Sequence, residues 1–302
     1  MAISMILTLS KNGSLGETSP MGWTVKEDKI WFRNVTKNVG TVVMGRKTFE
    51  TMDNRPLPNR VNYIITHNPE KIEKTDSVIP ITLEDFRALK LKDYCVVGGY
   101  EIYHEFLKDA AIVYISHHKN VEVEGRVLNL DMSKCVLFDR SESEDLIKEV
   151  LIQHPYISKR ISYEYSDESP FISQAKDVWL SKQLPGVHLT VSFFINGGEI
   201  VTQGTNYEYH DKFGCVRKKL NMPTGVGYEL CEGCQPVNHS ESSAIIKIKQ
   251  LDQYKELKGS IEYLYGHWWC CEDCTKRMDD AGVVKVIISR EWTKKFLKIA
   301  DL

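Results

Sequence analysis

The stretch Val42-Val43-Met44-Gly45-Arg46-Lys47-Thr48-Phe49-Glu50 combines the signals of a strand, a turn and a helix start. Its apolar beginning predicts a buried strand. Gly45 permits close approach of a ligand to the backbone, and the following helix presents free amide groups in its first turn. Arg46 and Lys47 add positive charge at the same place. The stretch therefore predicts a phosphate-binding junction between a strand and a helix.

A second junction follows the apolar run 94–97, where Gly98-Gly99 precede a predicted helix. A diglycine lets a flat ring or a pyrophosphate lie against the backbone. The motif lacks the G-x-G-x-x-G spacing of dinucleotide-binding folds, and an isolated Gly-Gly is more often a plain turn. Alone, this junction is weak evidence for a nucleotide site.

Short apolar runs alternate with helix-like stretches through the first half. They are residues 3–9, 42–44, 62–66, 94–97, 112–116 and 161–165. This alternation predicts an α/β fold with a partly parallel sheet. Asp167-Glu168-Ser169-Pro170 is a polar breaker, so we expect a first domain of residues 1–166 and a second of residues 167–302.

Asp28 is the candidate catalytic carboxylate of the first half. Trp31 and Phe32 follow it on nearby faces of one predicted helix. Such neighbours exclude water from a carboxylate, which could then pair with the amidine-like edge of a heterocycle. The alternative is a solvated helix face, which is the better interpretation for Glu27.

Taken in order, these motifs resemble dihydrofolate reductase over about the first 165 residues. The shared stretches are Asn12-Gly13-x-Leu15-Gly16, Met21-x-Trp23, Asp28-x-x-Trp31-Phe32, residues 44–50, Arg55-Pro56-Leu57-Pro58-x-Arg60, Gly98-Gly99-x-x-Ile102-Tyr103 and Glu122-Val-Glu124-Gly125. The resemblance implies a three-layer α/β domain with a mixed sheet. It also implies NADPH-dependent reduction of 7,8-dihydrofolate to tetrahydrofolate, and the two cations after Gly45 fit the extra phosphate of NADPH.

The resemblance also implies roles for individual residues. Asp28 would hold the pterin and assist its protonation, and residues 16–23 would form a mobile lid. The implied folate-binding residues are Asp28, Phe32, Leu57, Arg60 and Ser116. The implied NADPH-binding residues are Gly16, Gly45, Arg46, Lys47, Thr48, Gly98, Gly99 and Tyr103.

Two departures from the family pattern concern the lid. The usual Met-Pro-Trp is Met21-Gly22-Trp23 here, and the usual Glu-Gly-Asp is Glu124-Gly125-Arg126. The second change reverses a charge at a turn that supports the lid. We expect a slower or altered lid step rather than loss of the site.

The second half contains His239-Ser240-Glu241 and, further on, Cys271-x-x-Cys274. One imidazole and two thiolates would bind zinc and leave a fourth position for water, as in catalytic zinc sites. Glu241 could carry protons for that water. This order of motifs is the signature of zinc deaminases that act on nucleobases. A lone C-x-x-C would more often be a structural zinc or redox pair.

Residues 170–302 resemble the deoxycytidylate (dCMP) deaminase branch of the zinc cytidine deaminase superfamily. The segment 215–231 and Gly204-Thr-Asn206 carry this resemblance beside the metal motif. It implies an α/β/α domain, Zn²⁺ and hydrolysis of dCMP to dUMP, with Asn206 at the nucleotide. The usual Ala and Pro of the metal motifs are Ser240 and Cys270 here, and residues 266–269 are an unusual strand, so the substrate stays open.

Six of the eight cysteines lie between Cys215 and Cys274. Clustering of this kind favours metal binding in a reducing cytoplasm over a disulfide framework. Cys215, Cys231 and Cys234, with Cys270, His210 or His267, could hold a second, structural zinc. Buried free thiols are the alternative.

The formal net charge of −2 gives no reason to expect nucleic acid or an anionic membrane as partner. The N-terminus lacks the features of a signal peptide, and no apolar run reaches the roughly 20 residues of a membrane helix. We expect a cytoplasmic protein with small-molecule substrates that forms a homo-oligomer.

The leading hypothesis is a bifunctional enzyme of thymidylate and folate metabolism, with a reductase and a dCMP deaminase. One alternative is a riboflavin-biosynthesis-type deaminase/reductase, although there the deaminase comes first. Another is a dihydrofolate reductase that carries a non-catalytic zinc binding or assembly module. Asp28 and Arg60 argue against the first alternative, and Glu241 against the second, since a structural zinc needs no such carboxylate.

Overall fold

The computed structural model describes residues 2–16, 25–184, 186–210, 214–222 and 227–301. Of the expected lid, only Gly16 is among them, so the departure at Gly22 lies outside the described residues. The chain forms two compact units. The first comprises the described residues of Met1–Gln153 and Leu297–Leu302, and the second is His154–Phe296.

The first unit is built on an eight-stranded mixed sheet with the strand order β4-β3-β2-β5-β1-β6-β8-β7. Its strands are β1 (Ser4–Leu9), β2 (Thr41–Gly45), β3 (Val61–Ile65), β4 (Val78–Ile81), β5 (Cys95–Gly98), β6 (Ile112–His118), β7 (Cys135–Glu142) and β8 (Leu146–Gln153). Its helices are α1 (Lys26–Val39), α2 (Arg46–Glu50), α3 (Leu83–Ala88) and α4 (Tyr100–Phe106). Strands β1 to β6 pair in parallel, whereas β8 pairs antiparallel with β6 and β7.

Helix α1 forms because its apolar side chains recur at helical spacing. Trp31 and Val35 are buried together with Asp28, and the helix ends at Gly40, whose φ of 80° is left-handed. The helix packs on β1 and β2. Because Asp28 lies on the buried face of α1, its carboxylate points toward the sheet.

Strands β4, β7 and β8 were not predicted from sequence. In β8, buried and half-buried residues alternate, because β8 lies towards the edge of the sheet. Its charged residues, such as Lys148, concealed this alternation. The predicted strands over residues 3–9, 42–44, 62–66, 94–97 and 112–116 correspond to β1, β2, β3, β5 and β6.

The second unit contains a five-stranded sheet with the order β11-β10-β12-β13-β9. Its strands are β9 (Ser162–Tyr165), β10 (Val191–Asn196), β11 (Glu199–Thr205), β12 (Ile261–Tyr265) and β13 (Lys285–Ile288). Its helices are α5 (Pro170–Ser181), α6 (Val216–Lys219), α7 (Ser240–Gln250), α8 (Glu272–Ala281) and α9 (Arg290–Leu297).

Helices cover both faces of this sheet. Ile172 and Ala175 of α5 pack on one face against Phe193. Ser192, the preceding residue of β10, points to the opposite face and hydrogen-bonds Ser240 of α7 at 2.9 Å. The unit is therefore layered as α/β/α around its sheet.

Two details of the second unit differ from the sequence-based expectation. Strand β9 pairs with β13, so it belongs to the second sheet and the chain divides after Gln153 rather than after residue 166. A strand of four residues does not reveal which sheet it joins. Residues 266–269 follow β12 instead of forming a strand, and Gly266 has a φ of 92°.

None of the helices in the described part of the chain is long and apolar enough to cross a membrane.

Candidate functional sites

The three predicted zinc ligands of the second unit lie together. His239 Nδ1 is 3.5 Å from Cys271 Sγ and 3.6 Å from Cys274 Sγ. Tetrahedral zinc with bonds of about 2.3 Å to sulfur and about 2.0 Å to nitrogen separates such atoms by roughly 3.6 Å. The ligand atoms therefore fit a zinc ion.

Two helix starts bring these ligands together. His239 immediately precedes α7, and Cys271 precedes α8, where its sulfur accepts a hydrogen bond from the Cys274 amide. A helix start favours negative charge, which suits a thiolate. Hydrogen bonding from Cys274 and the nearby His239 lower the pKa of the Cys271 thiol to about 5.

Glu241 lies on the first turn of α7 and is buried. Ser240 Oγ donates to Glu241 Oε2 at 3.0 Å, and Ser192 Oγ donates to Ser240 at 2.9 Å. Burial raises the pKa of the Glu241 carboxyl, which suits a group that must both accept and donate a proton. Ser240, which departs from the deaminase pattern, therefore orients the candidate catalytic carboxyl.

A second buried carboxyl lies beside Glu241. Carboxylate oxygens of Glu241 and Glu262 and the Cys270 sulfur all lie within 4.8 Å of one another. Glu262 is fully buried, and burial raises the pKa of its carboxyl well above the ordinary value. Cys270 thus departs from the deaminase pattern at a contact with a carboxyl that sequence analysis did not single out.

Four further metal-binding side chains form a separate cluster. Cys215 Sγ lies 3.8 Å from Cys231 Sγ and 3.5 Å from Cys234 Sγ. His210 Nδ1 lies 3.5 Å from Cys231 Sγ. Two sulfurs on one tetrahedral zinc are separated by about 3.8 Å. The ligand atoms of His210, Cys215 and Cys231 all lie within 4.8 Å of one another and suit a metal ion, and Cys234 adjoins them through Cys215. Cys270, the alternative partner, lies instead beside Glu262.

Asn206, the predicted nucleotide contact, lies directly after β11. Its Oδ1 accepts from the Thr190 amide at 2.9 Å, and its Nδ2 donates to the His188 carbonyl at 2.9 Å. It also lies 3.5 Å from His210 Nε2. Asn206 therefore fixes the segment that leads into β10 and also contacts His210.

In the first unit, Asp28, Phe32 and Thr36 lie along one side of α1. The spacing of four residues places them one above another, about 12 Å from the first to the last. Asp28 and Thr36 are buried, and Thr36 Oγ1 donates to the Phe32 carbonyl at 2.6 Å. This side of the helix offers an acid at one end and polar contacts at the other.

The acid end is fixed by two hydroxyl groups. Ser116 Oγ of β6 lies 2.5 Å from Asp28 Oδ1, and Thr8 Oγ1 of β1 donates to Asp28 Oδ2 at 3.0 Å. The Asp28 carboxylate is 8% exposed. A carboxylate held in this way can accept two more hydrogen bonds from the edge of a heterocycle.

Arg60 lies at the other end of this side of α1. Its Nη1 donates to Thr36 Oγ1 at 2.6 Å, and its Nε donates to the Pro58 carbonyl at 3.1 Å. Among the described residues, no carboxylate lies within ion-pair distance of Arg60. A buried guanidinium without an acidic partner is suited to an anionic ligand.

Asn62 fixes the loop that carries Leu57 and Arg60. Its side chain accepts from the Leu57 amide at 2.9 Å and donates to the carbonyls of Leu57 and Arg60 at 3.1 and 2.8 Å. Asn62 is fully buried. Leu57 and Phe32 are half-buried.

The predicted phosphate-binding glycines lie where β2 and β5 end side by side. A Cβ on Gly45 would come within 3.0 Å of Ile102, and one on Gly99 within 2.9 Å of Thr48 Oγ1. Tyr103 is buried, and its hydroxyl donates to the Ile6 carbonyl at 2.8 Å. A side chain at either position would push against Ile102 of α4 or Thr48 of α2, which glycine avoids.

The cations predicted at this edge are exposed. Arg46 pairs with Glu50 along α2 at 2.5 Å, and Lys47 follows it. A cleft of about 700 Å³ beside Arg46 is also lined by Phe49, Asn68 and Lys71. At the other side of the expected cofactor site, the Gly16 amide donates to Ser14 Oγ at 3.2 Å.

Comparison with known proteins identifies the first unit. The family profile of dihydrofolate reductase matches residues 2–149. A dihydrofolate reductase of Buchnera aphidicola is 34% identical over 117 residues, which cover 39% of this chain and 72% of that protein. The chain belongs to the dihydrofolate reductase family.

Two further similarities were found. The bifunctional dihydrofolate reductase-thymidylate synthase of Paramecium tetraurelia is 38% identical over 106 residues, and the match spans only 22% of that protein and 34% of this chain. A structure of dihydrofolate reductase from Enterococcus faecalis complexed with NADP(H) and RAB-propyl is 24% identical, with a TM-score of 0.45. The match covers 50% of this chain and 96% of the Enterococcus faecalis chain.

Sequence analysis missed several residues that hold the two sites. Thr8, Thr36 and Asn62 support the reductase site, and Ser192 and Glu262 lie behind Glu241. Asn62 and Glu262 are buried polar residues on strand faces that are otherwise apolar. That pattern is a usable signal, but many such residues only satisfy local hydrogen bonds.

Proposed function

We propose that the first unit catalyses NADPH-dependent reduction of 7,8-dihydrofolate to tetrahydrofolate. The observation that carries this proposal is the arrangement of Asp28 and Arg60 at opposite ends of one side of α1. The carboxylate would accept hydrogen bonds from the pterin, and the guanidinium would bind the α-carboxylate of the glutamate tail. Phe32 and Leu57 would lie on either side of the ligand.

NADPH would supply the hydride, and the protein supplies placement and access of a proton. Gly45, Gly98 and Gly99 would allow the cofactor to approach the ends of β2 and β5, with Arg46, Lys47, Thr48 and Tyr103 around it. Gly16 would lie at the start of the lid. Ser116 and Thr8 keep the Asp28 carboxylate in one orientation, so that its free acceptor positions face the substrate.

The test is oxidation of NADPH in the presence of dihydrofolate by the wild type and by Asp28→Asn. We expect the variant to lose at least about 100-fold in kcat/KM, because a positioned acid or base contributes that much or more. Asp76→Asn, at an exposed position of the same domain, is the matched control. Equal loss in both variants, or no turnover by the wild type, would refute the proposal.

We propose that the second unit is a zinc-dependent deaminase that converts dCMP and water to dUMP and ammonia. The convergence of His239, Cys271 and Cys274 beside the buried Glu241 supports it. Zinc held there would lower the pKa of a water molecule at the open position. Glu241 would carry a proton from that water to the departing amino group, and Asn206 would contact the nucleotide.

The deaminase proposal is tested by following loss of the amino group from dCMP. The zinc-loaded wild type should convert it, and Glu241→Gln should not, while zinc content stays equal in both. Glu272→Gln, on the first turn of α8 and exposed, is the control and should stay active. No conversion by zinc-loaded wild type that still reduces folate would favour a non-catalytic binding module, or another aminated base.

We also propose that Cys215, Cys231, Cys234 and His210 hold a second, structural zinc. The supporting observation is the set of ligand separations given above. Metal analysis should find two zinc ions per wild-type chain and one in Cys231→Ser. An unchanged count in Cys231→Ser would rule this cysteine out, and Cys135→Ser, in the first unit, is the control.

A further inference from the structure

A histidine lies beside the Asp28 carboxylate. On β6, His118 follows Ser116 by two residues, so both side chains point to the same face of the sheet. His118 Nε2 lies 3.9 Å from Asp28 Oδ2, the oxygen that also accepts from Thr8. The His118 side chain is 1% exposed. This imidazole is therefore enclosed with the acid on which the proposed folate binding depends.

Other charged groups around His118 come from α1, from the turn before β8 and from β8. Glu27 of α1 and Lys148 of β8 pair with each other at 2.7 Å and largely cancel. Asp28 and Asp145 remain, and both favour the protonated imidazole. Burial acts more strongly in the opposite direction and lowers the pKa of His118 below its ordinary value. The lowered pKa favours the neutral imidazole, and the ring gains its proton in more acidic solution than an ordinary histidine does.

We propose that His118 is a positioning residue of the folate site, whose imidazole acts on the Asp28 carboxylate through its charge and so couples substrate binding to pH. This inference rests on the proposed folate reduction by the first unit. The donors at Ser116 and Thr8 are hydroxyl groups and cannot change charge. His118 is the neighbour of Asp28 that can.

The consequence follows from the sign of the interaction. An imidazolium beside a carboxylate favours the ionised carboxylate, the form that accepts hydrogen bonds from the pterin edge. Protonated His118 should therefore preserve dihydrofolate binding as the solution becomes acidic. Without this residue, binding should fail at a higher pH.

The experiment compares the pH dependence of KM for dihydrofolate in three variants. His118→Leu removes the imidazole, and His118→Gln keeps a hydrogen-bond donor that cannot titrate. His117→Leu is the matched control, because its side chain is 37% exposed, points to the other face and pairs with Glu149. Thermal unfolding of each variant shows which of them fold.

We expect both His118→Leu and His118→Gln to leave KM within about twofold at pH 7.5, because Nε2 lies 3.9 Å from Asp28 Oδ2, beyond hydrogen-bond distance, and the interaction therefore acts through charge. In both, the acidic rise of KM should begin about 0.5 pH unit or more above that of the wild type and of His117→Leu. Profiles of both His118 variants that coincide with the wild type would overturn the proposal.

A second readout is independent of activity. The His118 ring can be titrated by NMR in the wild type and in Asp28→Asn. Loss of the Asp28 charge should move the titration of His118 to lower pH, whereas a histidine without electrostatic coupling to Asp28 would titrate unchanged. If the wild type fails to reduce dihydrofolate, the proposed function fails, yet this titration still decides whether His118 and Asp28 are coupled.

Discussion

His239 Nε2 lies 3.2 Å from the carbonyl oxygen of Cys234, whose thiol belongs to the second metal-ligand cluster. A carbonyl can only accept, so Nε2 carries the proton and Nδ1 faces the two thiols of the first cluster. The second cluster therefore orients a ligand of the first.

From this relationship we predict that Cys215→Ser weakens metal binding at His239 without removing any of its ligands. The Cys234 backbone would lose its anchor, and loss of an outer partner of a metal-binding histidine costs about 10- to 100-fold in affinity. The measurement is the rate at which a chelator extracts the metal ion retained by the variant. Cys135→Ser should lose its metal to the chelator at the wild-type rate. Equal rates of metal loss in all three proteins would contradict the prediction.

Arg60→Lys should raise KM for dihydrofolate by about 10- to 100-fold and leave kcat within about twofold. Lysine presents a compact charge and cannot reproduce the fork that donates to Thr36 and to a carboxylate, and a charge-assisted hydrogen bond contributes about 1.5–3 kcal/mol. Steady-state kinetics separate the two constants. The same substitution at the exposed Arg33, also on α1, should change neither. A fall in kcat alone would place Arg60 outside substrate binding.

Although aspartate is the usual family residue here, Arg126→Asp should slow turnover several-fold, with loss of NADPH affinity, because Arg126 makes contacts of its own in this chain. Arg126 Nη1 lies 2.7 Å from Glu101, and its guanidinium lies 4.1 Å from the centre of the Tyr100 ring, so it fastens the turn after Glu124 to α4. Aspartate would repel Glu101 there. The double variant with Glu101→Arg should recover the rate, and high salt should reduce the defect. If turnover and cofactor affinity stay the same, the turn has no role in catalysis.

The second unit should lose stability on acidification because of His154. Burial lowers the pKa of this fully buried histidine to about 3, whereas the pKa of a histidine in the unfolded chain is about 6.5. Below pH 6.5 the unfolded state therefore binds a proton that the folded state does not, and stability falls until the pH approaches 3. At pH 5 the loss is about 2 kcal/mol relative to pH 7.5.

His154→Gln should remove this part of the pH dependence while keeping a partner for the Tyr165 hydroxyl, which lies 2.7 Å from His154 Nε2. Urea unfolding followed by tryptophan fluorescence at pH 7.5 and pH 5 measures the difference. His67→Gln, at an exposed position, should retain the wild-type pH dependence. A parallel decline in His154→Gln and the wild type would exclude His154 as the cause.

Local sequence determined much of the reductase domain. The run 42–50 predicted a strand and a helix separated by a glycine, and the structure has β2 and α2 there. The spacing of Asp28, Trp31 and Phe32 predicted the buried face of α1. These features follow from residues within a few positions of one another, so propensity and periodicity suffice to predict them.

Tertiary structure decided which distant residues meet. Residue spacing could not show that β9 joins the second sheet, that Cys270 lies beside Glu262, or that His210 completes the cluster of Cys215, Cys231 and Cys234. Nor could it place His118 beside Asp28, since these residues are far apart in the chain and meet only through the order of β1 and β6. Sequence alone thus named the candidate reacting groups, because their chemistry resides in residue type and local spacing. The side chains that orient them depend on sheet order and helix packing, which only the folded chain specifies.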